Sequence, residues 1–167
     1  LIAASVDLLG FTAGAINETI LRCDLGGILR VEDDLQIGTG ALMDLQGAIG
    51  SSGTLYLGGD WTNLESELNF QDQNSTVILN GNLDQALSTT VGPEVFGTLR
   101  IWKSGGDVIL AVPLEIRTEL DLSTGRIMNS ATELLSLRAG SVASNASDLS
   151  FVHGPVQKIG NSDFTFP

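Results

Sequence analysis

Carboxylates are the commonest groups in this chain that could do chemistry. Twenty Asp and Glu stand against eight Lys and Arg, one histidine and one cysteine, for a net charge of −12. Paired carboxylates can act as general acid and base on a glycan, but such sites also need basic or metal groups to stabilise developing charge. The basic residues are scattered along the chain, so a non-enzymatic role is expected and no residue is assigned as catalytic. His153 is the sole histidine, so any Ser-His-Asp arrangement or histidine metal site must use it. It precedes Gly154-Pro155 and reads as a turn residue.

Cys23 alternates with Leu21 and Leu25, which makes it a small hydrophobe on an apolar strand face. No second soft ligand lies near it, and it has no partner for an internal disulfide. Asp72-Gln73-Asn74-Ser75-Thr76 begins as a calcium loop would, but Val77 stands where glycine is needed and no Glu closes the loop. Glu32-Asp33-Asp34 is a second acidic cluster. Both read as solvated corners. No metal ligand and no cofactor is assigned, with weak calcium binding the one cation chemistry left open. Trp61, Trp102 and Tyr56 could stack on sugars if exposed. Trp102 follows Ile101 with opposite parity, which points it outward, so Trp102 and Tyr56 are the candidate glycan contacts. The sequons at Asn17, Asn74 and Asn145 carry little weight, because such triplets arise by chance.

The acidic balance also excludes partners. A phosphate backbone would be repelled over most of this surface and no Lys/Arg cluster breaks the pattern, so nucleic acid and anionic membranes are not expected. Cations, neutral glycans and basic proteins remain open. No apolar run approaches the roughly 18–20 residues that a membrane-spanning helix needs. The first residues carry no basic n-region and no initiator Met, and the last, Asp163-Phe164-Thr165-Phe166-Pro167, stop in mid-pattern. The chain therefore reads as an internal piece of a longer, processed protein.

The elements that must position these residues show a period. Apolar-x-apolar triplets begin at Leu35, Leu55, Val77, Leu99 and Leu120, separated by 20, 22, 22 and 21 positions, and Val142 falls 22 further on. Three-residue alternation puts apolar side chains on one face of a strand too short to stand alone. If the chain returns to the same face every 20–22 residues, each strand pairs in parallel with its counterpart in the next coil. Further triplets at Leu29, Met43, Leu68, Val108, Leu114 and Leu135 supply the other faces, and Gly, Asn, Ser and Thr supply the corners. Leu35, Met43 and Leu55 recur as Leu114, Leu120 and Leu135 at a shift of 77–80, which suggests a duplication of about 29–60 in 108–140. The expected fold is an all-β, right-handed parallel β-helix over 1–150, with an antiparallel β-sandwich as the alternative. Residues 132–140 are the best helix candidate, but their repeat partner around Leu55 is strand-like.

Gly59-x-Trp61-x-Asn63, then Ser75-Thr76-Val77-Ile78-Leu79-Asn80-Gly81 with Gln85, then Phe96-x-x-Leu99-x-Ile101 and Leu120-x-Leu122-x-x-Gly125-x-Ile127 resemble a repeat module of very large secreted surface proteins of Bacteroidota. The order of motifs covers about 53–167. Residues 151–167 are similar to the start of the segment that closes such modules, cut short here, with His153 where Asp, Asn or Glu is commoner. The resemblance implies export, often by the type IX route, and display in stalks, adhesins or other cell-surface assemblies. It carries over no catalytic residue. The expected function is thus a secreted structural or adhesive module, a rigid spacer or scaffold. Its expected partners are neighbouring modules of the same chain, other surface proteins or glycans, with no membrane insertion by this segment. A module binding surface polysaccharide and a polysaccharide-lyase-like β-helix are the alternatives.

Overall fold

The computed structural model describes residues 2–3, 6–8, 19–22, 27–45, 52–65, 67–71, 74–161 and 164–167, with side chains from residue 27 onward apart from Glu67. The chain forms a right-handed parallel β-helix of about 6 turns. Three walls enclose one apolar column. The first contains Ile2–Ala3, Ile28–Val31, Thr54–Leu57 and Thr76–Leu79, continued by the second halves of the long strands Glu94–Trp102 and Leu114–Thr124 and by Val142–Ser144. The second stacks Val6–Leu8, Leu35–Ile37, Trp61–Asn63, Gln85–Thr89, Val108–Leu110, Ile127–Met128 and Val152–His153. A third, short sheet joins Thr19–Arg22, Ala41–Asp44 and Phe70–Gln71. The first halves of the two long strands extend toward Leu135–Leu137 and Val156–Lys158.

Among the described residues all strand pairs are parallel, and the one antiparallel contact is the bridge between Ser147 and Ser150. That excludes the sandwich. The sole helical piece described is a 3-10 turn, Glu67–Asn69, which takes in Leu68, one of the expected strand positions. The segment 132–140 contains the strand Leu135–Leu137 instead of a helix.

Alternation explains the walls. In Leu29-Arg30-Val31, Leu55-Tyr56-Leu57 and Leu99-Arg100-Ile101 the outer members of each triplet are buried and the middle one faces out. A lone three-residue strand buries too little to persist, but stacking about 4.8 Å apart turns these short faces into a continuous core. Leu57 and Leu122 both lie in that core, fully buried. Leu57→Ala or Leu122→Ala should each lower unfolding free energy by about 3 kcal/mol. Chemical denaturation followed by circular dichroism reads the loss, and unchanged midpoints in both variants would contradict the register.

Leu55, Val77, Leu99 and Leu120 stack in register, as their spacing predicts. Two members of the expected series do not. Leu29 rather than Leu35 lies opposite Leu55, at a distance of 26 residues, while Leu35 lies opposite Trp61 in the second wall. At the far end Ala143 takes the place expected for Val142, which pairs with Glu119 and is 51% exposed. Triplets of neighbouring walls have the same alternation, so spacing alone cannot tell a residue of one wall from its neighbour across a corner. The 77–80 shift likewise relates different walls. Leu35 pairs with Val6 and Trp61, whereas Leu114 pairs with Glu94 and Leu135. Gly47 and Ile49, which stand 78 residues before Gly125 and Ile127 and so fit the same shift, lie outside the described residues.

Candidate functional site

The corner between the first and second walls gathers much of the chain's charge. Each second-wall strand from Leu35 to Val108 is preceded by aspartate: Asp34, Asp60, Asp84 and Asp107. Their side chains tie successive coils together. Asp34 accepts from the amide of Asp60 at 2.8 Å, Asp60 from that of Ala86 at 2.8 Å, and Asp84 from that of Asp107 at 2.9 Å. Asp107 ends the series with two bonds from the Arg126 guanidinium, both 2.8 Å. Short corners permit the stacking. A Cβ on Gly59 would stand 2.4 Å from the Asp33 carbonyl carbon, and Gly106, at φ +66°, packs as closely on Leu83.

Glu32, Asp33, Asp34, Asp60 and Asp84 line a groove of about 540 Å³ along this corner. Behind it, Gln85 is nearly fully buried and bonds to four groups. Its Nε2 donates to the carbonyls of Leu57 and Gly59, and its Oε1 accepts from the Gly81 amide and from Lys103 Nζ at 2.7 Å. Lys103 Nζ also donates to the Leu83 carbonyl at 2.8 Å. Burial pulls the Lys103 ammonium below its ordinary value, opposed by the charges of Asp84, Asp107 and Asp60. Lys103 and Arg126 thus bring positive charge to the aspartate column through bonds internal to the corner, and both are engaged there.

On the outer side of the same corner, Asn80, Trp102, Lys103, Ser104 and Thr124 line a separate groove of about 400 Å³. Trp102 is 53% exposed, as its parity predicts. Register slips by one residue beside it: Ile101 pairs with Leu122, but Trp102 pairs with Thr124, leaving Ser123 extra. Such a bulge re-aims the side chains around it.

Tyr56 is not part of this groove. It faces out from the first wall two coils earlier, with the Arg30 guanidinium 3.9 Å from its ring centroid. Trp61 is fully buried and meets Phe70 and Phe96 edge to face, at centroid distances of 4.6 and 5.2 Å. His153 is exposed at the end of the second wall, its ring tilted toward Phe151. Cys23, Asp72 and Gln73 lie outside the described residues, as does Asn17. Among the described residues no three His, Cys, Asp or Glu side chains converge to hold a metal ion.

No protein family, no curated protein and no solved structure matches this chain. Sequence reasoning passed over Gln85 and Lys103 as a pair, and over Asn80, Ser104 and Thr124. The second group had a signal: Asn80, Trp102 and Thr124 are spaced 22 and 22 apart, the interval of the coil itself.

Proposed function

We propose that this chain is a non-enzymatic structural module of an exported cell-surface protein, acting as a rigid spacer or scaffold. One observation carries the reading: the residues with the most bonding capacity are spent on joining coil to coil. Asp34, Asp60 and Asp84 accept from backbone amides of following coils, and Gln85 reaches back to the coil of Leu57. Asp121 does the same on the first wall. Its burial raises the carboxyl pKa, but hydrogen bonds from Asn145, Ser123 and Arg100, with the Arg100 charge, outweigh that and hold it below the ordinary value. Each coil added to such a stack extends it by about 4.8 Å, so about 6 turns give roughly 30 Å of reach.

Residues that carry the resemblance to surface-protein repeats support the same reading. Trp61, Asn63, Gln85, Phe96, Leu99 and Leu120 are all buried. They build corners and core, as shared positions of a mechanical repeat would. A lyase-like reading needs acidic and basic groups free to act on one outer face. Acidic and basic groups do meet at the aspartate column, but Lys103 and Arg126 are held there by hydrogen bonds within the wall.

Amide hydrogen exchange tests the proposal. A rigid spacer should show slow, nearly uniform exchange across the first-wall strands from Thr54–Leu57 to Val142–Ser144. Rapid exchange in the middle strands, or release of cleavage products from polysaccharides incubated with the chain, would overturn it.

A further inference from the structure

The groove at Trp102 has a chemistry that the spacer reading does not use. Three coils build it: Asn80 from one, Trp102, Lys103 and Ser104 from the next, Thr124 from the third. Its apolar wall is an indole left 53% exposed, the only tryptophan outside the core. An indole this exposed presents a flat apolar face on which a ligand ring can stack. Around it the side chains of Asn80, Ser104 and Thr124 are exposed and make no hydrogen bond to the described residues. They offer an amide and two hydroxyls, each able to donate and to accept. This contrasts with the adjoining corner, where Asp60, Asp84, Asp107, Gln85 and Lys103 are engaged with one another or with backbone.

Charge narrows the ligand. No carboxylate lines the groove, and its one charged residue, Lys103, directs its ammonium to Leu83 and Gln85. A cationic ligand would find no carboxylate in the lining to pair with. An anionic one would approach beside the aspartates on a chain of net charge −12. A neutral ligand avoids both. It should have one apolar face for the indole and a rim of hydroxyls for the amide and hydroxyl groups, which is the character of a pyranose ring. The volume, about 400 Å³, lies in the range of small-ligand sites, about 300–1,000 Å³.

We infer that Trp102, Asn80, Ser104 and Thr124 form a binding site for a neutral glycan, with the Trp102 indole stacking on one sugar ring. The register slip at Ser123 opens the space in which that ring lies. The site is independent of the spacer role: the column can be rigid with the groove empty, and its loss would leave the walls intact.

The test uses the two tryptophans, one buried and one exposed. Acrylamide should quench Trp102 emission and leave Trp61 largely untouched. Neutral hexasaccharides of glucose, mannose, galactose and xylose are added in turn, up to about 10 mM, above the millimolar dissociation constants of weak single sites. At least one should protect Trp102 from quenching. Calorimetry should then show Trp102→Ala weakening that sugar about tenfold or more, and Asn80→Ala weakening it severalfold. Both side chains are exposed, so circular dichroism and denaturation midpoints should match the parent chain. Three outcomes would overturn the inference: no protection by any neutral sugar, protection by uronic acid or sulfated oligosaccharides alone, or protection that depends only on protein concentration. The last would mean that a second copy of the chain covers the indole. None of the three would alter the exchange result expected of a rigid spacer.

Discussion

Trp61→Ala should lower the unfolding free energy by about 5 kcal/mol or more. Truncating a buried aromatic costs about 3–5 kcal/mol through lost transfer energy and the cavity left behind, and Trp61 is fully buried. Two further losses add to this. The indole edges against Phe70 and Phe96 disappear, and those rings, 5.6 Å apart, lose the third member of their cluster. The indole Nε1 also donates to Glu94 Oε2 at 3.0 Å, and Glu94 is fully buried. Removing a donor from a buried carboxylate costs about 1–3 kcal/mol more. Against a typical stability of about 5–15 kcal/mol, the variant should melt far earlier or fail to fold at the coils around it. Trp61→Phe keeps part of the volume and lacks the donor, so it should fall between the two. Guanidinium denaturation of all three chains checks the order. A Trp61→Ala chain within about 1 kcal/mol of the parent would mean that the three rings do not anchor the column.

Lys103→Met should cost about 1–3 kcal/mol although it removes a buried charge, which is itself expensive. Replacing a whole buried ionic group by apolar residues is often neutral, but removing one member strands the rest. Here the rest are the Leu83 carbonyl and the charges of Asp84, Asp107 and Asp60, while Gln85 Oε1 keeps only the Gly81 amide. The variant loses the ammonium that offsets the charges of these aspartates. Raising salt to about 1 M shortens the Debye length to about 3 Å and should recover part of the loss.

Proton linkage separates this from a packing effect. In the parent chain Lys103 titrates below its ordinary 10.5, because of burial. Between that lowered value and 10.5 the unfolded chain binds more protons than the folded one, so stability from this group rises with pH through that window. The Met variant should lack that rise. Equal pH and salt profiles for the two chains would place the cost in lost packing alone.

Much of the architecture was legible. Repeated triplets of one alternation, too short to stand alone and too regular for a single packed sheet, require stacking. The parallel walls, the buried Leu57 and Leu122 and the outward Trp102 follow from parity and period. The register of Leu29, Leu35 and Val142 was not legible, because coil length is set at corners and not by strands. The corner at Glu32-Asp33-Asp34 separates two triplets of the same pattern, and either could serve the first wall.

By itself the sequence determined the kind of object this protein is: apolar alternation with a period near 22, glycine-bearing corners and no long helical stripe leave a parallel solenoid as the economical way to bury its leucines. Tertiary structure alone decided which side chains meet. The column of Asp34, Asp60, Asp84 and Asp107 becomes visible only when register is known, since their separations of 26, 24 and 23 follow corner lengths. So does the bond between Gln85 and Lys103, 18 residues apart along the chain and adjacent across one coil. The physical reason is that strand formation depends on near neighbours in sequence, whereas contact between coils depends on the summed geometry of every corner between them.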